Sequence, residues 1–315
     1  MRPKLTFLML PYTRAELFEW GRLMAWAGVG WAAGMKEDWK SLPIAHVRGK
    51  RHGYTMRLDR SDWCQRLTYF LGRYYEFGVL RTLDVVLRPG DHFVDVGANI
   101  GMIALHARFL VGHTGKGDCF EPNPECVEAL REHLRINSIE NVTVHPCALG
   151  ESPGSMSLKL TSEHSGTATL AAVEGDVIRE VQVDVRVGDL AIKGVPRLIK
   201  IDVEGFELHV LKGLAKTISM HKPFLITELI DGHLRRAGTT TAAVSEYLFD
   251  QGYEAYAIHS ERKRRYLPER LVLRRVLRGT SLAASPDILW AHPVHELSLH
   301  PFREREPHEP GADAG

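Results

Sequence analysis

The sequence predicts an α/β fold, a doubly wound and mostly parallel sheet of seven strands behind a small helical N-terminal extension. Three observations carry this. From residue 92 onward, short apolar runs alternate with amphipathic stretches, the pattern of βαβ units. The first of those runs, His92-Phe93-Val94-Asp95-Val96, passes directly into Gly97-Ala98-Asn99-Ile100-Gly101, a strand, a tight glycine turn and a helix start. The last two runs, 253–258 and 287–291, have no long helix between them, so they close the sheet as an antiparallel pair.

The elements follow in order. Residues 1–65 read as an N-terminal extension of one or two helices with a strand-like segment at 53–58. Leu67, Phe70, Leu71, Tyr74, Leu80, Leu83 and Val86 recur at helical spacing, predicting a helix over 66–88 that Pro89-Gly90 ends. Strands at 92–96, 117–120 and 142–145 alternate with helices at 100–111 and 124–136, with right-handed crossovers. An interruption at 154–187 holds two extra strands and a polar loop. The alternation resumes with a strand at 198–202, a helix at 205–218, a strand at 224–228 and a helix at 241–251. The domain ends at 292, and 293–315, rich in Pro, Glu, Gly and Ala, reads as a disordered tail.

Composition narrows the classes. Hydrophobic residues make up 44% and charged residues 25%, so a packed core is expected. A net charge of +1 gives no case for nucleic acid as a partner. Cys64, Cys119, Cys126 and Cys147 form no CxxC pair and no zinc spacing, so they read as reduced core thiols of a cytoplasmic protein. The apolar run from Leu23 to Met35 covers 13 residues, too few to span a bilayer. Leu17, Phe18, Trp20, Met24, Trp26 and Trp31 instead outline an amphipathic helix. It would pack on the domain or on the partner of a homodimer, or else lie peripherally on the inner membrane surface.

The glycine turn implies a ligand at the carboxyl edge of the sheet. Twenty residues beyond it, Cys119-Phe120-Glu121-Pro122-Asn123 ends a second strand with an acid, placed to accept from ribose hydroxyls. A dinucleotide turn would carry a second glycine where Asn99 stands, because a pyrophosphate must reach the helix N-terminus. S-adenosylmethionine (AdoMet) has no phosphate and suits this turn better.

Three motifs, Asp95-Val96-Gly97-Ala98-Asn99-Ile100-Gly101, Phe120-Glu121-Pro122-Asn123-Pro124 and Ile199-Lys200-Ile201-Asp202-Val203-Glu204-Gly205-Phe206-Glu207, resemble the FkbM family of AdoMet-dependent methyltransferases. Leu87 to Asp91, the Gly166 to Leu170 loop and Asp287-Ile288-Leu289-Trp290 agree with it. The resemblance covers about residues 70–292 and implies a class I, Rossmann-like methyltransferase fold. It implies that Asp95, Gly97, Asn99 and Gly101 surround the methionine end of AdoMet. It also places Cys147 and Ala148 beside the adenine.

Further acids stand at strand ends. Asp202 and Glu204 follow the fourth strand and Glu228 ends the fifth. Three acids on one edge can orient and deprotonate an acceptor, or bind a divalent metal, or cap the next helix. The first is the expectation, with no metal. His164, in the loop 161–169, is a candidate general base. The insert 262–278 carries eight basic residues against one acid, which would suit an anionic acceptor if it lay near the pocket. The expected activity is O-methylation of a hydroxyl on a sugar, glycan or secondary metabolite. N-methylation, methylation of a macromolecule and a non-catalytic AdoMet-fold module are the alternatives.

Overall fold

Every residue of His92–Val96 is buried, and strands pair with it on both sides. The computed structural model describes residues 6–16, 20–29, 39–160, 168–171, 177, 179–262, 269–280 and 287–295. In chain order the strands are β1 Ala45–Arg48, β2 Thr55–Leu58, β3 His92–Val96, β4 Lys116–Phe120, β5 Val142–His145, β6 Ala148–Gly150 and β7 Gly154–Leu160. They continue as β8 Ala168–Thr169, β9 Arg179–Val187, β10 Leu198–Ile201, β11 Phe224–Glu228, β12 Glu254–Glu261, β13 Arg270–Val276 and β14 Asp287–Ala291. The main sheet runs β13-β12-β14-β11-β10-β3-β4-β5. Strands β5, β4, β3, β10 and β11 are mutually parallel, and β14 is antiparallel to both β11 and β12. The order reverses between β3 and β10, which is where an open sheet of this kind binds ligands.

The sheet has eight strands rather than the expected seven. The extra one is β13, antiparallel to β12 from Ala255↔Val276 to Glu261↔Arg270. It occupies most of the segment read as a basic loop. Leu271, Val272 and Leu273 are buried, while Arg274 and Arg275 pair with Glu261 and Glu254, and Arg278 with Glu246 and Asp250. A short apolar run flanked by arginines hides a sheet-edge strand, because charge at an edge is compatible with pairing on the other side.

Strand alternation sorts the core into two layers. Phe93, Cys119, Leu198, Phe224, Ile226 and Leu289 pack with helices Phe77–Val86 and Met102–Val111. Val94, Val96, Phe120, Ile199, Ile201 and Leu225 face the opposite way, toward helices Glu207–Gly213, Ala215–His221 and Thr241–Asp250. Side chains on a strand repeat with a period of two. Asp95, Glu121, Lys200, Asp202, Glu228 and Asp287 therefore all belong to the face covered by Phe77–Val86.

Two predicted helices are broken. The stretch 66–88 is Trp63–Leu71 and Phe77–Val86, separated by Gly72, whose φ of 67° ends the first. Asp62 starts that first helix by accepting from the amides of Cys64 and Gln65 at 2.8 and 3.3 Å. The helix also runs across the expected domain boundary at residue 65. The stretch 205–218 is likewise Glu207–Gly213 and Ala215–His221. Asp231–Arg236 forms a further helix that the sequence pattern did not show. A second sheet, β6-β9-β7-β8, lies in the interruption after β5.

The N-terminal extension packs on the domain. Met24, Ala27, Val29 and Trp39 are buried with Phe70 and Leu71, and Trp20 lies partly buried against them. Trp26 is 69% exposed, whereas Trp31 lies outside the described residues. Among the described residues no helix is long and apolar enough to cross a membrane.

Candidate functional site

A cavity of about 290 Å³ opens at the carboxyl edge of the sheet, where the strand order reverses. The turn after β3 forms one end of it. Gly97 has φ 80°, and a Cβ there would lie 1.8 Å from the carbonyl oxygen of Asp202. Glycine is thus required by the close approach of the β3 and β10 ends, not by a ligand. At Gly101 a Cβ would meet Leu130 Cδ1 at 2.2 Å. That glycine lets helices Met102–Val111 and Pro124–Ile136 approach each other.

Main-chain donors tie this turn to the next strand. Gly97 and Ala98 donate to the carbonyl of Phe120 at 2.9 and 3.1 Å. Glu121 Oε2 accepts from the Asn99 amide at 2.7 Å and Oε1 from the Asn123 amide at 2.8 Å. Asn99 adopts φ 47°, which asparagine tolerates better than most residues, and its own Oδ1 accepts from the Ile100 amide at 2.7 Å. Burial lifts the Glu121 carboxyl to about 7 against the pull of those two amides.

Asp95 is 1% exposed, and neither carboxylate oxygen has a hydrogen-bond partner within the described residues. Burial raises it to about 6, while the neighbouring Lys200 holds it down. An acid buried in this state, on a cavity wall, is poised for a donor from outside the chain.

The other end of the cavity is crowded with carboxylates. Lys200 Nζ donates to Asp202 Oδ2 at 2.8 Å, and Glu204 Oε2 pairs with His233 Nδ1 at 2.6 Å. Despite its burial, Lys200 is held above the usual lysine range by Asp202, Asp95 and Glu76. Glu228 lies opposite Asp287 in the β11–β14 ladder. The charge of Asp202, then burial, pushes Glu228 far above the ordinary carboxylate range. Burial and the charges of Asp287 and Asp202 raise Glu76 to about 8, and burial with Asp202 raises Asp287 to about 6. One carboxylate oxygen from each of Asp202, Glu204 and Glu228 comes within 4.8 Å of the others, an arrangement that could also hold a cation.

Of the residues singled out from sequence, Asp95, Gly97, Asn99, Glu121, Ala148, Asp202, Glu204 and Glu228 all line the cavity. Gly101 and Cys147 do not, and Cys147 is fully buried. His164 lies outside the described residues. The end of its loop does reach the site, where the Thr169 hydroxyl donates to the carbonyl of Glu204 at 2.9 Å. No described residue of the insert 262–278 lines the cavity.

Several participants were not singled out from sequence. Lys200 alternates with Asp202 in an otherwise apolar strand, a signal that could have been read. Glu207 Oε1 accepts from the amides of Val203 and Gly205 at 3.2 and 3.1 Å and so fixes the turn carrying Asp202 and Glu204. Glu76 and His233 come from a helix break and from the short helix Asp231–Arg236, where no local pattern marks them.

Residues 95–255 match the family model described as the methyltransferase FkbM domain. A methyltransferase of Beauveria bassiana is 29% identical over 162 residues, 44% of this chain and 65% of that protein. The methyltransferase sdnD of Sordaria araneosa is 30% identical over 165 residues, 42% and 63% of the two chains. The hexuronic acid methyltransferase AglP of Haloferax volcanii is 29% identical over 206 residues, 61% and 76%. The match thus spans just under two thirds of the first two relatives. A crystal structure of the methyltransferase FkbM from Methylobacillus flagellatus is 20% identical, with a TM-score of 0.44, over 73% of this chain and 54% of that one. The matched span runs from the end of β3 to β12 and contains both the Glu121 clamp and the Asp202 turn: the chain belongs to the FkbM methyltransferase family.

Proposed function

We propose that the protein is an AdoMet-dependent methyltransferase acting on a hydroxyl of a sugar, glycan or secondary metabolite. The observation that carries this reading is the row Glu121, Asp95, Asp202 and Glu228 along one sheet edge, inside one cavity. Neighbouring strands lie ~4.8 Å apart, so the row extends roughly 14 Å from β4 to β11. That suits a nucleoside at one end and an acceptor at the other.

The residues present fit the cofactor. Asp95, buried with both oxygens unpartnered, suits an ammonium group such as that of the methionine moiety. Each oxygen of Glu121 takes one amide and keeps capacity for one ribose hydroxyl. Ala148 and Leu149 extend the wall as apolar neighbours for adenine. Bound AdoMet supplies an electrophilic methyl on a sulfonium that leaves without acid assistance.

The work left to the chain is alignment and proton removal. Asp202 and Glu228 end adjacent strands, and an alkyl hydroxyl between them meets an acceptor for its proton. Lys200 fixes one oxygen of Asp202 and leaves the carboxylate aimed by the strand. Glu204, anchored by His233, orients the acceptor from the other side. A relative that acts on hexuronic acids supports a sugar-type acceptor. Four free cysteines, three of them buried, fit a reducing cytoplasm.

Calorimetry with S-adenosylhomocysteine, paired with a methyl-transfer assay on a panel of sugars and polyols, tests the reading. Product binding in the micromolar range with methyl ether formation supports it. A folded protein that binds neither AdoMet nor its product sinks it.

A further inference from the structure

One wall of the cavity comes from a part of the chain outside the matched family span. Trp63, Tyr74, Tyr75 and Glu76 all contribute to it. The rings of Tyr74 and Tyr75 stand 4.7 Å apart at 54°, and those of Trp63 and Tyr75 5.5 Å apart at 51°, so the side chains form one aromatic strip. The Tyr74 hydroxyl donates to Glu76 Oε1 at 3.2 Å. Burial, then the charge of Glu76, with Asp202 adding, holds both phenols well above the usual tyrosine range. The strip thus stands within reach of the Asp202 charge, and both hydroxyls stay neutral.

A buried hub ties this strip to the N-terminal extension. Arg73 is 1% exposed, and its Nε and Nη2 donate to the two oxygens of Glu16 at 2.8 and 2.7 Å. Its Nη1 donates to the carbonyls of Tyr74 and Tyr75 at 2.7 and 3.1 Å. Glu16 is itself fixed from several sides. Its carboxylate also pairs with Lys50, its carbonyl accepts from Arg262 Nη2 at 2.8 Å, and the Lys50 amide donates to the carbonyl of Gly72 at 2.8 Å. Upstream, Thr13 Oγ1 donates to the carbonyl of Phe70 at 2.9 Å. Glu16 holds φ 50°, a left-handed conformation that a non-glycine residue keeps only where its surroundings enforce it.

We propose that Trp63, Tyr74 and Tyr75 form the platform on which a sugar ring of the acceptor lies, and that Arg73 and Glu16 are positioning residues for it, which makes the N-terminal extension part of the acceptor site. The proposal rests on the cavity being the AdoMet site. A pyranose has an apolar face of C–H groups and an equator of hydroxyls. Aromatic rings in fixed orientation suit the face. The carboxyls of Glu76, Asp202, Glu204 and Glu228, which line the same cavity, suit the equator. A hydroxyl both donates and accepts, so the match holds for a carboxyl with or without its proton. A flat aromatic acceptor would cover the platform and leave those carboxyls unmatched. An open-chain polyol would match the carboxyls and offer the platform no flat face. A lysine could not replace Arg73, because one planar fork meets a carboxylate and two carbonyls at once.

The test uses the full chain saturated with S-adenosylhomocysteine. The probes are methyl β-D-glucopyranoside, methyl β-D-galactopyranoside and sorbitol, titrated by ligand-observed NMR. At least one glycoside should bind, about fivefold or more tighter than sorbitol. Tyr75→Phe should keep that affinity, whereas Tyr75→Leu, which fills the space without a ring, and Arg73→Lys should each weaken it by about fivefold or more. Product affinity by calorimetry should change by less than about twofold in all three variants. If Arg73→Lys does not fold, Glu16→Gln, which takes the charge from the fork, replaces it. The proposal is overturned by no glycoside binding to a protein that binds the product, by sorbitol binding as tightly as the glycosides, or by equal glycoside affinity in Tyr75→Leu and Tyr75→Phe. Wild-type glycoside affinity in Arg73→Lys, or a parallel loss of glycoside and product affinity there, overturns the positioning role. Failure of the wild type to bind S-adenosylhomocysteine would instead overturn the cofactor reading itself.

Discussion

The two ends of the cavity are built by opposite means. At the β3–β4 end the main chain does the positioning. Amides of Asn99 and Asn123 hold Glu121, and carbonyls of Phe120 and Val96 hold the turn and the start of the Asp202 segment. At the β10–β11 end, side chains hold one another, Lys200 with Asp202 and Tyr74 with Glu76 within one segment and His233 with Glu204 across segments. Backbone geometry is fixed by the fold and tolerates little substitution, which suits a cofactor that never changes. Side-chain geometry can be rewritten one residue at a time, which suits an acceptor that differs between relatives.

The largest expected effect tests the backbone end. Gly97→Ala puts a Cβ into the Asp202 carbonyl at a φ closed to alanine, and should destabilise the protein by more than about 3 kcal/mol. Gly101→Ala carries a similar strain at φ 86° but meets the flexible tip of Leu130 rather than main chain, and should cost about 1–2 kcal/mol. Urea unfolding of both variants measures the gap, and equal losses would remove the distinction drawn for this turn. The side-chain end should behave differently. Asp202→Asn should lower turnover about 10²-fold while product affinity survives. Chelators should leave wild-type turnover unchanged, since Lys200 and His233 already hold Asp202 and Glu204. Full activity in Asp202→Asn would shift the proton acceptor to Glu228, and inhibition by chelation, reversed by a divalent cation, would assign the acids to a metal.

Acidity links the two ends. Asp95 near 6 and Glu121 near 7 stand above the unfolded carboxylate range near 4, and Glu76, Glu207 and Asp287 are raised as well. Between about pH 4 and pH 7 the native state therefore binds more protons than the unfolded chain. The stability of the ligand-free protein should fall as pH rises through that window. Cofactor affinity should move the other way, because the ionised forms of Asp95 and Glu121 are the ones that bind. Affinity at pH 5 should be about a hundredfold or more below that at pH 8, with proton release on binding, read by calorimetry in buffers of different ionisation enthalpy. A pH-independent affinity would contradict the assignment of these two acids.

The smallest effect concerns the basic insert. Arg274→Gln with Arg275→Gln breaks exposed pairs with Glu261 and Glu254, each worth less than about 1 kcal/mol. The Michaelis constant for the acceptor should not move. A rise that disappears at high salt would bring the insert back into acceptor binding.

This contrast also explains what the sequence made legible. The β3 turn, Glu121 and the Asp202 strand end are local patterns, each read within a dozen residues, and the strands there begin and end within a residue or so of expectation. The rest of the β10–β11 end was not legible in the same way. Glu76 reaches the cavity because Gly72 breaks a helix whose apolar period continues through the break. His233 sits on a six-residue helix with no amphipathic signature. β13 was read from its charges, although its buried Leu271, Val272 and Leu273 are what place it in the sheet. Tertiary assembly created those parts of the site, and only the register of β11 against β14 brings Glu228 beside Asp287.

The central claim is that the Glu121 end of the cavity holds the ribose of AdoMet, and titration calorimetry of S-adenosylhomocysteine into wild type and Glu121→Ala tests it most directly. Removing the carboxylate leaves two hydroxyls without an acceptor, at about 1.5–3 kcal/mol for a charged hydrogen bond. The account predicts micromolar binding to the wild type and binding weaker by about tenfold or more in the variant. Equal affinity in the two proteins would contradict it.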